Sequence, residues 1–496
     1  MNAPVLRGAA LACSGAHGRT GTCDADFFKI LPPWMGVAAW GALARDGGSC
    51  GGRARRQETA VPGAELHGGS MATAAAELAA SLTADVLAQS GNNLVAIRNV
   101  EYAVGTMAML FLAAYYRAYS ELYKHYKKNL ATYRHHHDRR HRYYEMKRIC
   151  YYLLPREGGA TYRSSRLSPD ALDDSLCTHV VVGGLVVSRE GRMVPMLPKH
   201  EDVIAKLSGT KLKVLLSVAA HGPGALSHVV AYRWTRLKFI RSAVRMVQRY
   251  HLSGIDFEWE FPEWLSGHIG DRYLFRLLLQ DFRSYMNETK KDFLLSASIS
   301  AVPALMVSAY DVQGLARHLD FINLMAYDLD FVDRWRPNTS HHSPLFPKLL
   351  NKREERTTHS VVSAVHHWAD LGMPHEKMVL GIPLYARVYR LAHPLENGWG
   401  SRALAETVLP FNKVCQLLKR GAVTVMDKTA YAPHAYLGDI WISYESVEST
   451  VLKCLWADSM GLGGVMTYTI QMDDWEGKCD NNTKFPIHKA IWKTIG

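Results

Sequence analysis

The chain has 496 residues, 48% of them of hydrophobic type, and a formal net charge of +12. That length suits a large barrel plus an extension, and the apolar share supports a sizeable core rather than a wholly disordered chain. The charge is uneven, with 18 Lys/Arg against 11 Asp/Glu in residues 1–148, mostly in one basic run. With no helix-turn-helix, zinc-finger or RNA-binding signature, no nucleic-acid partner is expected.

Residues 1–100 read as a low-complexity, disordered N-terminal region: Gly, Ala and Arg dominate to residue 70, and an Ala-rich helical stretch follows at 71–90. Tyr102–Tyr116 is an uncharged apolar run, shorter than the roughly 20 residues of a bilayer span. It fits a signal anchor or a buried helix. A basic linker follows to residue 148. Its His135–His137 and Asp138 lack the spacing of a closed zinc site, so no metal is expected, and no cofactor either. Positive residues after the run favour the cytoplasmic side. The sequons at Asn287, Asn338 and Asn481 and the scattered cysteines favour the secretory route. The expected location is extracellular or lumenal, anchored through 102–116 or secreted.

From residue 149 short β-branched runs alternate with helical patterns, which predicts βα units around a parallel sheet. Eight runs stand out, at 150–154, 179–187, 213–219, 254–260, 294–300, 321–327, 379–387 and 464–470. They predict an α/β fold, a (β/α)8 TIM barrel over 149–496, with a small α+β insertion at about 388–440 between strands 7 and 8.

The run Gly254-Ile-Asp256-Phe-Glu258-Trp-Glu260-Phe-Pro262 carries three carboxylates at spacing two. On a strand they share one face. Crowded, desolvated carboxylates raise one another's pKa, as a general acid near neutral pH requires. Glu260 comes last, at the strand end where barrel active sites open. An amphipathic strand with one wet face is the plain alternative, but a parallel barrel strand is covered on both sides.

This segment resembles the DGxDxDxEYP signature of the family-18 glycoside hydrolases, the chitinases and chitinase-like lectins. Further stretches are similar to the family in order and spacing: Lys213–Ser217, Met325-Ala-Tyr327-Asp328, Gly381–Arg387, Trp441–Glu445 and Gly463–Met466. The resemblance implies substrate-assisted retaining catalysis, in which the substrate's N-acetyl carbonyl is the nucleophile. It assigns Glu260 as general acid, Glu258 as the group orienting the acetamide, Asp256 as its deeper partner and Tyr327 as a hydrogen-bond donor to the acetamide carbonyl. Ser217, Met325, Asp328, Tyr385, Arg387 and Tyr468 fall at substrate-binding positions, and Trp335 is expected as an aromatic wall. It implies disulfides Cys150–Cys177 and Cys415–Cys479, leaving Cys454 as a buried thiol. The implied ligand is chitin or its N-acetylglucosamine oligosaccharides.

Departures from the pattern limit what carries over. Ser253 and Glu258 stand where the family has aspartates, and Ala219-Ala220 where it has two glycines. Tyr468, Leu154-Pro155 and His221 stand where it has tryptophans. A carboxylate displaced by about 1 Å can lose on the order of 100-fold in rate. Two functions therefore follow: a slow hydrolase of β-1,4-linked N-acetylglucosamine polymers, or a lectin or growth-factor-like protein that binds them without cutting.

Overall fold

The computed structural model describes residues 145–155, 167–221, 226–264, 268–330, 337–348, 359–479 and 482–496. The low-complexity region, the 102–116 run, the basic linker up to residue 144, Trp335 and Asn481 lie outside the described residues. Among the described residues no helix is long and apolar enough to cross a membrane.

Fourteen strands follow in order: β1 Lys147–Leu153, β2 His179–Val187, β3 Met193–Pro195, β4 Lys213–His221, β5 Gly254–Glu260, β6 Leu294–Ser300, β7 Phe321–Met325, β8 Met378–Pro383, β9 Tyr385–Leu391, β10 Ala403–Pro410, β11 Val423–Asp427, β12 Ala432–Leu437, β13 Ile440–Ser443 and β14 Gly464–Tyr468. Strands β1, β2, β4 to β8 and β14 are parallel, and β1 pairs with both β2 and β14, so the sheet closes into an eight-stranded barrel. The closing seam is tight. A Cβ on Gly464 would lie 2.1 Å from the Lys147 carbonyl oxygen.

Each predicted run supplies a barrel strand, but the first begins earlier and the seventh is divided. Lys147 and Arg148, the end of the expected linker, already belong to β1. Run 379–387 breaks after Pro383. The Leu384 amide makes the last bond to β14, at the Tyr468 carbonyl at 2.8 Å, and Tyr385 starts the insertion's antiparallel sheet, ordered β10-β9-β13-β12-β11. The inserted module therefore begins at Tyr385 and its last strand ends at Ser443, wider than 388–440.

Alternation on β5 decides what the barrel encloses. Phe257 and Trp259 point outward, 0% and 2% exposed. Phe257 meets Phe239, Phe275 and Phe282 at 5.8–6.2 Å between ring centroids, and Trp259 meets Phe275 at 5.6 Å. Each such buried aromatic stabilises the wall by about 2–3 kcal/mol, so a register slip by one residue is strongly disfavoured. The carboxylates are thereby directed inward. Two disulfides tie the ends together: Cys150–Cys177 joins β1 to the segment before β2, and Cys415–Cys479 joins the module's helix Phe411–Lys419 to the C-terminal segment. Cys454 is free and buried.

Candidate active site

Asp256, Glu258 and Glu260 climb the inner face of β5 from the closed interior to the mouth. Asp256 is fully buried, Glu258 nearly so, and Glu260 is partly exposed. Five donors surround Asp256. Its Oδ2 accepts from Tyr151 Oη at 2.7 Å, Ser217 Oγ at 3.0 Å and Ser298 Oγ at 3.1 Å. Its Oδ1 accepts from Ser296 Oγ at 2.6 Å and Asn323 Nδ2 at 3.1 Å. Burial raises the Asp256 pKa despite these donors, of which Ser296 and Tyr151 oppose it most. Ser217 Oγ also lies 3.5 Å from Glu258 Oε2, bridging the two carboxylates.

Above this layer four tyrosines line the interior. Tyr468 is 5.4 Å from Tyr151, 6.0 Å from Tyr327 and 6.3 Å from Tyr385, centroid to centroid. Tyr327 packs edge-on against Tyr385 at 5.9 Å. Burial, then the neighbouring Tyr468 and Glu258, push the Tyr327 phenol well above its ordinary value, so it stays a donor. Gly381 makes room for that ring: a Cβ there would lie 3.0 Å from Tyr327 Cε1 and 2.4 Å from the Leu324 carbonyl oxygen.

A charged chain forms the far wall. Arg387 Nε donates to Asp328 Oδ1 at 2.7 Å and its Nη1 to Glu406 Oε1. His342 Nδ1 lies 3.4 Å from the same Asp328 oxygen. Burial pulls the Asp328 carboxyl upward, but His342 and Arg387 outweigh it and hold it well below the usual carboxylate range. Asp328 has a φ of 54°, a left-handed conformation that Asp adopts more readily than most residues. The segment Thr339–Phe346 is buried throughout and fastens this wall to the module. The His342 amide donates to Ser443 Oγ at 3.2 Å, and Tyr389 Oη to the Ser340 carbonyl at 3.3 Å.

The family-18 model of glycosyl hydrolases matches residues 147–473. The chain belongs to glycosyl hydrolase family 18. It is 28% identical to human chitinase-3-like protein 2 over 69% of this chain and 95% of that one. It is 28% identical to mouse chitotriosidase-1 over 70% and 77%. The solved group IV chitinase of Ostrinia furnacalis is similar with a TM-score of 0.65 and 27% identity, covering 71% of this chain and 100% of that chain.

The structure brings most of the expected site residues together at one end of the barrel. These are Asp256, Glu258, Glu260, Tyr327, Asp328, Tyr385, Arg387 and Tyr468, with Met325 at the end of β7. Ser217 lies deeper than the others. It is wholly buried and hydrogen-bonded to Asp256, beneath Glu258, so what it touches in the structure is the carboxylates. Tyr385 and Arg387 sit on the first strand of the inserted module, not on a barrel strand.

Several contributors were missed from sequence. Tyr151, Ser296, Ser298 and Asn323 complete the Asp256 cradle, and the alternation of Ser296, Ser298 and Ser300 on β6 was the available signal. His342 and Glu406 carried none, being brought in from a loop and from the module. A buried ion pair, Lys453 with Glu445, holds the floor of the Asp328 loop: Lys453 Nζ also donates to the Ser343 carbonyl and Oγ, each at 2.7 Å, and Ser343 Oγ donates to the Ala326 carbonyl at 2.7 Å.

Proposed function

We propose that the chain binds β-1,4-linked N-acetylglucosamine oligosaccharides at the C-terminal mouth of its barrel and hydrolyses them slowly, with Glu260 as general acid. The observation carrying this reading is the single strand face on which three carboxylates rise from a sealed five-donor cradle to an open mouth under Tyr327, Tyr385 and Tyr468. Glu260 protonates the leaving glycosidic oxygen. The substrate's acetamide oxygen attacks the anomeric carbon from the opposite face, giving an oxazolinium ion. Glu258 orients the acetamide and stabilises that positive charge, while Tyr327 donates to the acetamide carbonyl. Glu260, now a carboxylate, takes a proton from the water that opens the ring. Asp256, whose pKa burial raises, is suited to exchange a proton with Glu258 through Ser217. Asp328 and Arg387 fit sugar hydroxyls, and the tyrosine faces fit the apolar faces of the sugar rings.

Binding without turnover is the second reading, favoured by Glu258, whose extra methylene sits in a packed barrel. One similar structure, human YKL-39 at 27% identity and TM-score 0.63, is described as a pseudo-chitinase that retains chitooligosaccharide binding. Two closed disulfides and the exposed Asn287 support an extracellular or lumenal site of action.

The test is chromophore release from an N-acetylglucosamine oligosaccharide by the full chain, with calorimetric binding in parallel. Activity abolished in Glu260→Gln with binding kept supports the hydrolase, and a gain in Glu258→Asp identifies the damping residue. Binding without release in the wild type selects the second reading. Absence of both sinks the proposal.

A further inference from the structure

The outer wall between β4 and β5 is the helix Arg233–Arg249, and its exposed side is unlike any surface the cleft requires. Its 17 residues hold six Lys/Arg and no Asp or Glu. At 100° per residue, Trp234, Lys238, Arg241, Arg245 and Arg249 fall within about 80° of arc, along about 22 Å of helix. The opposite side buries Phe239, Ile240, Ala243, Val244 and Val247 against the barrel. Trp234, Arg241, Arg245 and Arg249 are exposed and Lys238 half-buried. Arg241 and Arg245 form no ion pair among the described residues. Among the described residues the nearby acids are few. Glu201 takes Arg249 at 3.1 Å, with Asp202 beside it on the same short helix. Glu190 lies within electrostatic reach of Lys238 and Arg192. Arg192 adds a further exposed cation from the β2–β3 turn, which is fastened to this helix by the Met193 amide on Ser242 Oγ at 3.0 Å. At the N-terminal end Tyr232 and Trp234 stack at 6.3 Å with their planes 11° apart, 63% and 65% exposed.

We propose that this stripe is a docking surface for a linear sulfated polysaccharide, separate from the cleft. Charge complementarity carries the assignment. Guanidinium forks pair in bidentate fashion with sulfate as they do with phosphate, and a single file of cations matches a file of anions along one polymer. The exposed aromatic pair at its end offers ring faces to the sugar rings. An anionic bilayer fits less well, because the helix has already buried its apolar face in the barrel and has none to insert.

The experiment measures retention of the full chain on heparin as a function of salt. Three proteins are compared: wild type, the double variant Arg241→Glu/Arg245→Glu, and a control with Lys290→Glu/Lys291→Glu, two exposed lysines elsewhere on the barrel. The N-terminal basic run also carries cations, so the readout is the difference between variants. Losing two contacts lowers the slope of log affinity against log salt by about 2 in the Arg241/Arg245 variant, with the control at wild-type values and desulfated heparin not retained. Circular dichroism identical to wild type shows that the variant is folded. Equal losses in both variants, no loss in either, or binding to phosphatidylserine vesicles that depends on Arg241 and Arg245 while heparin retention does not would each overturn the proposal.

Discussion

Replacing Lys453 with methionine isolates what one buried ion pair does for the site. Lys453 is 0% exposed, and its Nζ is held by Glu445 and by two atoms of Ser343. Methionine fills similar volume but removes the positive charge and three donated bonds. Glu445, 3% exposed, then keeps Ser449 Oγ at 2.7 Å but loses its countercharge. Breaking one partner of such a pair costs about 3–5 kcal/mol, a large part of the roughly 5–15 kcal/mol that holds a domain folded. The double variant Lys453→Met/Glu445→Leu removes the stranded charge too, and returns to within about 2 kcal/mol of wild type. Both variants free Ser343, whose hydroxyl braces the Ala326 carbonyl beside Tyr327, so both bind chitooligosaccharide more weakly. Urea unfolding at pH 7 followed by tryptophan fluorescence gives the stabilities, and calorimetry the affinities. A single variant that loses less than about 1 kcal/mol, or a double variant worse than the single, refutes the reasoning.

Three further outcomes are expected. Burial, His341 and Lys348, opposed by Asp427, hold His434 down to about 4; because its folded value lies below the ordinary 6.5, the unfolded chain binds more protons between those values, and stability present above pH 6.5 falls by up to about 3 kcal/mol as the pH drops to 4. His434→Phe, keeping the stack on Trp441 at 4.9 Å, flattens that loss in denaturant midpoints taken across the window. Cys415→Ser opens a link spanning 64 residues, and chain entropy sets the loss at about 4 kcal/mol, read as a lower thermal midpoint against wild type under non-reducing conditions. Gly381→Ala drives a methyl into the Leu324 carbonyl and the Tyr327 ring, so oligosaccharide affinity falls by about tenfold or more, a loss of about 1.4 kcal/mol, while Gly398→Ala, exposed and with no atom nearer than 4.0 Å to the added methyl, leaves affinity unchanged.

The barrel was legible because its strands repeat one pattern. Runs such as Val180–Val182 and Leu215–Leu216 are apolar on both faces, as strands covered by helices must be, and the acidic strand interrupts that pattern only on one face. The Pro383 break was harder to read, since the β-prone Leu384 and Tyr385 follow it directly and continue the pattern of β8. The serines of β6 carry no charge to mark them, although their period of two places Ser296 and Ser298 beside Asp256. His342, Glu406 and Lys453 follow no local period. Their importance comes from contacts with residues tens of positions away, such as Lys453 with Ser343 across 110 residues.

By itself the sequence determined the eight-stranded framework, the face on which Asp256, Glu258 and Glu260 stand, and the family, because periodicity and short motifs are properties of neighbouring residues. Only the tertiary structure decided which of those residues are sealed in the interior and which stand toward its open end. Ser217 lies buried under Glu258, Arg387 stands on the inserted module, and Asp328 has beside it the charges that keep it ionised. The physical reason is that burial, hydrogen-bond partners and local field are set by whatever the fold brings within a few ångströms, and chain separation carries almost no information about that.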